Sequence, residues 1–383
     1  MNQTAINQSN ASEHSTCSSS SQLHATLQVV LFSMIIIMSF LGNTLVIIIV
    51  TQNKRMHTLS NLLIRNTSIA DLLVTSLPMI WEVVSLRHFK GGTWPMGSFM
   101  CIAVYLCTYI SVACSIISLT VIAIDRYFLI MMPHKKGLDP KYNRCLIALI
   151  WFLSFLLSSP TLIAQQIWTD AHTGKKFCVE MWNPPFDSQE SPKHYTIILF
   201  LLLYALPLLS MAVLYSIMCL YLWRWKMPGA RNSSSSKSHR QKKKVVLMLV
   251  TVLLIFAIGW FPVFLSQFLI FFNPRYVECP RSFPRALVFV AYFFQYLSSA
   301  LNPFVYFLLS PSYRSGLAKL VNWEGRKRKT AVVHLKMQKP RSQRSATVTE
   351  MLYGEIDASM PKNHPIVEVT VGGQPASEHS VQL

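Results

Sequence analysis

Apolar residues in this chain gather into seven long runs, at approximately 27–51, 61–84, 99–130, 144–164, 195–223, 245–272 and 285–309, each bounded by charged or turn-forming residues. The hydrocarbon core of a bilayer takes about 20 apolar helical residues to cross, so each run is long enough for one crossing. The runs mix helix formers with scattered Gly and Pro and lack the dyad alternation of a membrane β-barrel, which makes the spans helices. The pattern predicts an all-α membrane protein, a seven-transmembrane helix bundle over 27–309. After it, Leu309, Tyr313, Leu317 and Leu320 recur at three- and four-residue steps, the mark of a short amphipathic eighth helix over 310–323 lying on the inner leaflet. Residues 324–383 are polar and basic, with no apolar periodicity, and are expected to be disordered.

Composition agrees with that setting: 52% of residues are hydrophobic and 13% charged, against about a quarter charged in soluble domains. The net charge of +19 would suit a nucleic-acid partner, but most of the 35 Lys and Arg fall in segments that share one side of the membrane if 1–26 is outside. That is the positive-inside bias, and it gives an outside amino terminus and no call for nucleic acid. Lys242, Lys243 and Lys244 would then face the anionic lipids of the inner leaflet. Residues 1–26 carry no charged leader with a short apolar core, so the first span is expected to act as the insertion signal. Glycosylation triplets at Asn2, Asn7 and Asn10 fit the outer tail, whereas those at Asn66 and Asn232 lie within a span and in an inner loop.

In hydrocarbon the informative residues are the polar ones. They are Gly42-Asn43 in the first run, Asp71 in the second, Ser115 and Asp125-Arg126-Tyr127 in the third, Trp260 and Pro262 in the sixth, and Ser298, Ser299 and "NPFVY" from Asn302 in the seventh. Small polar side chains around a buried carboxylate form either a cage for a hydrated monovalent cation or a polar network that joins helices. Pro207, Pro262 and Pro303 each remove a backbone hydrogen bond and supply a hinge. His and Cys spacings match no metal motif, and there is no phosphate loop or nucleophile elbow, so no enzyme chemistry is expected.

The set "GN", "SIADLL", a Cys opening the third run, "DRY" closing it, Trp151, Pro207 with Tyr215, "FAIGWFP" and "NPFVY" resembles the rhodopsin-like G-protein-coupled receptors, each motif in its expected span over roughly 27–320. The resemblance implies an allosteric sodium site at Asp71 and Ser115, with Asn43, Ser298, Ser299 and Asn302 in its shell. It implies an activation switch built from Asp125, Arg126, Tyr127 and Tyr215, the packing triad Ile116, Pro207 and Phe256, Trp260 above Pro262, and Pro303 with Tyr306. Four cysteines, Cys17, Cys101, Cys178 and Cys279, fall in outer segments and allow three pairings. The resemblance selects Cys101 with Cys178, leaving Cys17 with Cys279 as a second bridge. Two departures stand out: Gly259 replaces the usual Cys before Trp260 and is expected to loosen that helix, and Lys242 replaces an acid that would pair with Arg126, leaving Asp125 as its principal partner.

No Lys occupies the middle of the seventh run, so a retinal Schiff base is not available, and Thr108 stands where amine receptors hold an Asp. Glu82, Thr108, Tyr109, Gln166, Trp260, Gln267, Phe289, Tyr292 and Tyr296 form a candidate pocket of one acid, amides, hydroxyls and aromatic surface, covered by a loop from about 165 to 194 that can pair as a hairpin. That mixture suits a peptide end, with Glu82 the partner of a basic group. "AIDRY" and "WPMG" resemble receptors of the neuropeptide Y, RFamide and orexin type. The expected partners are an extracellular neuropeptide, a heterotrimeric G protein, arrestin, receptor kinases acting on Thr330, Ser342, Ser345, Thr347 and Thr349, and membrane lipids. The alternatives are a receptor for a small non-amine ligand such as a lipid, or a transporter or channel, although the odd number of runs and the lack of an internal repeat speak against two transporter halves.

Overall fold

The computed structural model describes residues 4–89, 93–132, 140–183, 185–224, 233–272 and 285–321, with side chains described from 25 onward apart from 233–238, 285 and 286. Among the described residues seven helices are long and apolar enough to cross a membrane: α1 (Ala25–Gln52), α2 (Leu59–His88), α3 (Gly97–Met131), α4 (Pro140–Ala164), α5 (Glu190–Arg224), α6 (His239–Phe272) and α7 (Leu287–Leu309). Each covers one of the apolar runs, α7 from residue 287 of the run 285–309, and α1, α2, α3 and α5 extend past both ends of theirs. The asymmetry of burial shows which helices are central: 44% of the most apolar stretch is buried in α3 and α7, against 17% in α5. Ile37, Leu41, Phe152, Leu209, Phe261 and Leu308 point outward, where a lipid tail replaces a protein neighbour. Ile116, Ile122, Met211, Met218 and Tyr306 fill the main core.

Proline disturbs two helices in a regular way. One wide turn of π-helix spans Thr75–Met79 and contains Pro78, and a second spans Leu201–Ala205, just ahead of Pro207. A proline ring clashes with the carbonyl four residues earlier and leaves it without a donor, and a widened turn moves that carbonyl aside.

Glycines set the closest helix contacts. A Cβ on Gly42 would lie 2.9 Å from Pro303 Cβ, joining α1 to the hinge of α7. A Cβ on Gly259 would lie 2.7 Å from Ser298 Cβ and 3.0 Å from the Phe294 carbonyl. Gly259, expected to loosen α6, is therefore where α6 and α7 come into backbone contact. A helix over 311–321, α8, turns Tyr313 back onto the Tyr306 ring at 5.6 Å and lays Gly316 on Ile49 of α1.

Between α4 and α5, β1 (Gln165–Thr169) pairs antiparallel with β2 (Lys176–Glu180), Ile167 opposite Cys178. Asp170 caps their turn, accepting from the His172 backbone N–H at 3.0 Å and the Thr173 hydroxyl at 2.6 Å, and these bonds hold its carboxyl below the usual carboxylate range. The Cys101–Cys178 disulfide fastens the hairpin to the outer end of α3. Cys279 and Asn2, and the side chains of Cys17, Asn7 and Asn10, lie outside the described residues, as does the tail from 322.

Candidate functional site

Among the described residues, two small interior cavities share part of their lining. The deeper has a volume of about 20 Å³ and is lined by Asp71, Thr108, Ser111, Ser115, Gln295, Tyr296, Ser298, Ser299 and Asn302, with Val112, Phe256 and Trp260. That is room for about one water-sized guest. Asp71 is buried and accepts from Asn302 Nδ2 at 3.1 Å. Ser115 lines the cavity, and its Oγ is buried with no hydrogen-bond partner among the described residues. A carboxylate, an orphaned hydroxyl and an amide around a water-sized void are the donor set a hard monovalent cation takes, so the residues fit sodium. Ser298 Oγ donates to the Gln295 carbonyl at 2.6 Å. Asn43 lies apart from this cavity: its amide donates to the Ser39 carbonyl at 2.9 Å and to the Ser299 carbonyl at 3.4 Å, holding α1 to α7.

The outer cavity, about 30 Å³, is lined by Tyr109, Val112, Glu180, Tyr195, Thr196, Leu199, Leu203, Trp260, Val263, Phe264 and Gln267. Val112 and Trp260 line both cavities, so the wall between them is made by Val112 and the larger Trp260. Its ring stacks on Phe256 at 6.0 Å, and Phe256 and Ile116 lie in the same core cluster, with Pro207 half-buried on α5. Tyr204 on α5 donates to the Ala257 carbonyl at 2.9 Å, tying α5 to α6 in the turns before Pro262.

The nine pocket candidates do not converge on one point. Tyr109, Trp260 and Gln267 share the outer cavity, while Thr108 and Tyr296 face the deeper one, the Thr108 hydroxyl donating to its own helix at Val104 O, 2.9 Å away. Glu82 sits on α2 within electrostatic reach of Tyr292 and Tyr296 of α7 and of Tyr105 of α3. Phe289 packs edge-on against Phe32 of α1 at 5.7 Å. The Gln166 amide donates to the Ile163 and Met181 carbonyls at 3.1 and 3.2 Å, bracing the base of the hairpin. Glu180 is a pocket acid that the apolar pattern gave no sign of, because it lies outside the runs. Burial pushes its carboxyl up, and the Trp182 indole donating at 2.7 Å pulls it back down.

At the inner end, Asp125 Oδ2 lies 3.7 Å from Arg126 Nε. Ser60 of α2 bridges the pair, donating to Asp125 Oδ2 at 2.5 Å and accepting from Arg126 Nε at 2.8 Å. A hydroxyl carries both a donor and acceptor lone pairs, so it serves both partners at once. Tyr215 and Tyr306 are buried nearby, and the hydroxyls of Tyr306 and Tyr313 have no partner among the described residues. Tyr127 stands beside Phe128, half-buried against the core. A second inner knot, unread in the sequence, is Asn66, which donates to Ser118 at 3.1 Å and accepts from the Trp151 indole at 2.8 Å, joining α2, α3 and α4.

Seven helices around a polar interior, with a disulfide-held hairpin at one end and a bridged Asp-Arg pair at the other, define a multi-pass membrane protein of the seven-helix receptor class. The chain belongs to the 7 transmembrane receptor (rhodopsin family), which it matches over residues 42–306. It is 31% identical to the tachykinin-like peptides receptor 99D of Drosophila melanogaster over 77% of its length and 56% of that protein's. It is 28% identical to receptor 86C of the same fly over 77% of its length and 58% of that protein's, and 30% identical to the neuromedin-K receptor of Homo sapiens over 76% and 61% respectively. The match thus spans less than two thirds of these relatives.

Proposed function

We propose that this chain is a plasma-membrane receptor, amino terminus outside, that binds an extracellular neuropeptide and promotes nucleotide exchange on a heterotrimeric G protein. The observation that carries the reading is the wall at Trp260, which with Val112 stands between a hairpin-covered outer cavity and the Asp71 cavity and stacks on Phe256 at the core of α6. A ligand in the outer cavity presses on the turn above Pro262, and α6 moving away from α3 frees Arg126 to meet Tyr215 and Tyr306. An agonist drives this only by binding the opened packing better than the closed one. The relatives named for tachykinin-like peptides and neuromedin-K support a peptide ligand.

In the same reading Asp71, Ser115 and Asn302 hold a sodium ion that favours the closed packing, Lys242, Lys243 and Lys244 rest against inner-leaflet lipid, and the phosphorylated tail recruits arrestin. Expression of the full chain with calcium and cyclic-nucleotide readouts against a panel of amidated peptides tests the proposal. A peptide response abolished by G-protein removal is expected. Solute flux that persists without G protein, or a response to lipids and to no peptide, overturns it.

A further inference from the structure

At the hairpin end of the bundle a groove opens toward lipid, beside the enclosed outer cavity. Ser191, His194, Tyr195 and Ile198 stand at positions i, i+3, i+4 and i+7 of α5, which sets them on one face of that helix. With Pro160 and Ile163 of α4, and with Trp182 and Phe186 from the segment between the hairpin and α5, that face lines a groove of about 400 Å³. The volume falls in the range of small-molecule pockets, whereas the enclosed cavity next to it holds about 30 Å³. Ile163, Phe186 and Ile198 are 46%, 48% and 48% exposed, and α4 and α5 are membrane spans, so the cover of this face is lipid.

The lining discriminates among lipids. It contains no Asp, Glu, Lys or Arg. The charges nearest in sequence are engaged elsewhere: Glu190 holds Lys193 at 2.7 Å, and Asp187 accepts from the backbone N–H groups of Gln189 and Glu190, each at 2.7 Å. A phosphate or carboxylate head drawn in here would leave water for apolar walls, which is costly without a counter-ion. A neutral hydroxyl needs one polar partner, and Ser191 and His194 offer it. Both lie near the start of α5, where the span meets water, and Ile198 follows one turn deeper, so polar rim and apolar floor are ordered like the head and body of an amphiphile. The helix rises roughly 10 Å from Ser191 to Ile198, about the length of a fused four-ring body. Such a rigid body gives up less conformational freedom on being held than an acyl chain does.

Tyr195 joins the groove to the interior, because it lines both the groove and the outer cavity. Its hydroxyl donates to the Leu157 carbonyl of α4 at 3.1 Å, and its ring meets Tyr109 of α3 at 6.3 Å and Trp182 at 5.4 Å. Trp182 donates in turn to Glu180, another wall of the outer cavity, at 2.7 Å. We propose that the α4–α5 groove is a sterol site, with a neutral hydroxyl at Ser191 and His194 and a rigid ring body along Pro160, Ile163 and Ile198, whose occupant braces Tyr195 and Trp182 and with them the wall of the outer cavity. The sterol site goes beyond the receptor reading; its effect on a ligand in the outer cavity rests on that reading.

The test uses the purified full chain in phosphatidylcholine nanodiscs and reads the site without any peptide. A cholesterol analogue with a photoreactive diazirine on its ring body is photolysed, and the labelled residues are mapped by mass spectrometry. Label is expected within 157–163 and 182–198, displaced by cholesterol and not by oleic acid. Ile198→Trp fills the groove and abolishes this label, while Leu209→Trp, at another lipid-facing position of α5, leaves it. His194→Ala weakens displacement by cholesterol by roughly threefold to tenfold, the loss of one hydrogen bond. Melting in sterol-free discs separates a filled groove from a lost fold, and should Ile198→Trp fail to fold, His194→Ala carries the test. Cholesterol also slows backbone hydrogen exchange over 176–182 in the wild type and not in Ile198→Trp. Label spread evenly over the lipid-facing spans, equal displacement by oleic acid, or unchanged exchange over 176–182 in a labelled protein overturns the proposal. A peptide response without sterol labelling leaves the receptor reading standing and removes this site; labelling in a chain that no peptide activates does the reverse.

Discussion

At the inner end of α3, Arg126 has Asp125 at 3.7 Å and shares the Ser60 hydroxyl with it, whereas in the outer half Glu82 and Glu180 face tyrosines and an indole with no cation in reach among the described residues. A charge withdrawn from water needs a partner, and the two outer acids are only partly withdrawn. The inner end meets it within the chain, which makes a latch that closes by itself. The outer end holds two partly exposed acids that no cation pairs among the described residues. On the proposed reading Trp260 and the turn at Pro262 link the two ends, so that a ligand in the outer cavity acts on the inner pair. Polar side chains in a membrane bundle are thus informative mainly through whether their partner is already present.

Four substitutions probe that contrast, in descending order of expected effect. Cys178→Ala frees the hairpin that positions Glu180, and loss of such a bridge costs about 2–5 kcal/mol of stability in small secreted domains. The expected result is a lower melting temperature with the inner latch unaltered, read as unchanged ligand-free G-protein activation per folded receptor. Gly259→Cys forces a Cβ into Ser298 and the Phe294 carbonyl; overpacking of this kind costs about 1–3 kcal/mol, and differential melting should show it. A stability equal to wild type would mean that α6 and α7 separate easily there. Ser60→Ala removes the bridging hydroxyl but leaves the ion pair, worth about 1 kcal/mol, so basal signalling should rise by about fivefold at most. Glu190→Gln breaks the exposed pair with Lys193, within about 1 kcal/mol of no effect, and neither melting nor signalling should change measurably.

The spans were legible because about 20 apolar residues between polar ends admit only one structure in hydrocarbon. Asp71, Arg126 and Trp260 were legible because each is an expensive or bulky residue in an apolar run. Ser60 and Asn66 were not, since a hydroxyl or amide inside a helix gives no sign of which neighbouring helix it will meet. Gly259 was misjudged for a related reason: the missing side chain reads as slack in one helix and becomes a close approach only when α7 is placed against it. Gln166 and Gln165 adjoin on one strand, and nothing in the sequence says which of the two turns inward; the structure buries Gln165 and commits the Gln166 amide to the loop's own carbonyls. The π turn at Thr75–Met79 likewise depends on how α2 meets α1 and α3, beyond what Pro78 alone announces.

The most direct test of the latch is ligand-free nucleotide release from a heterotrimeric G protein by the purified full chain in nanodiscs, comparing wild type, Asp125→Asn and the surface control Glu190→Gln. With its carboxylate gone, Arg126 keeps only the Ser60 hydroxyl, and release should accelerate severalfold in Asp125→Asn while Glu190→Gln matches wild type. Equal rates in all three proteins, at matched amounts of folded receptor, would contradict the account.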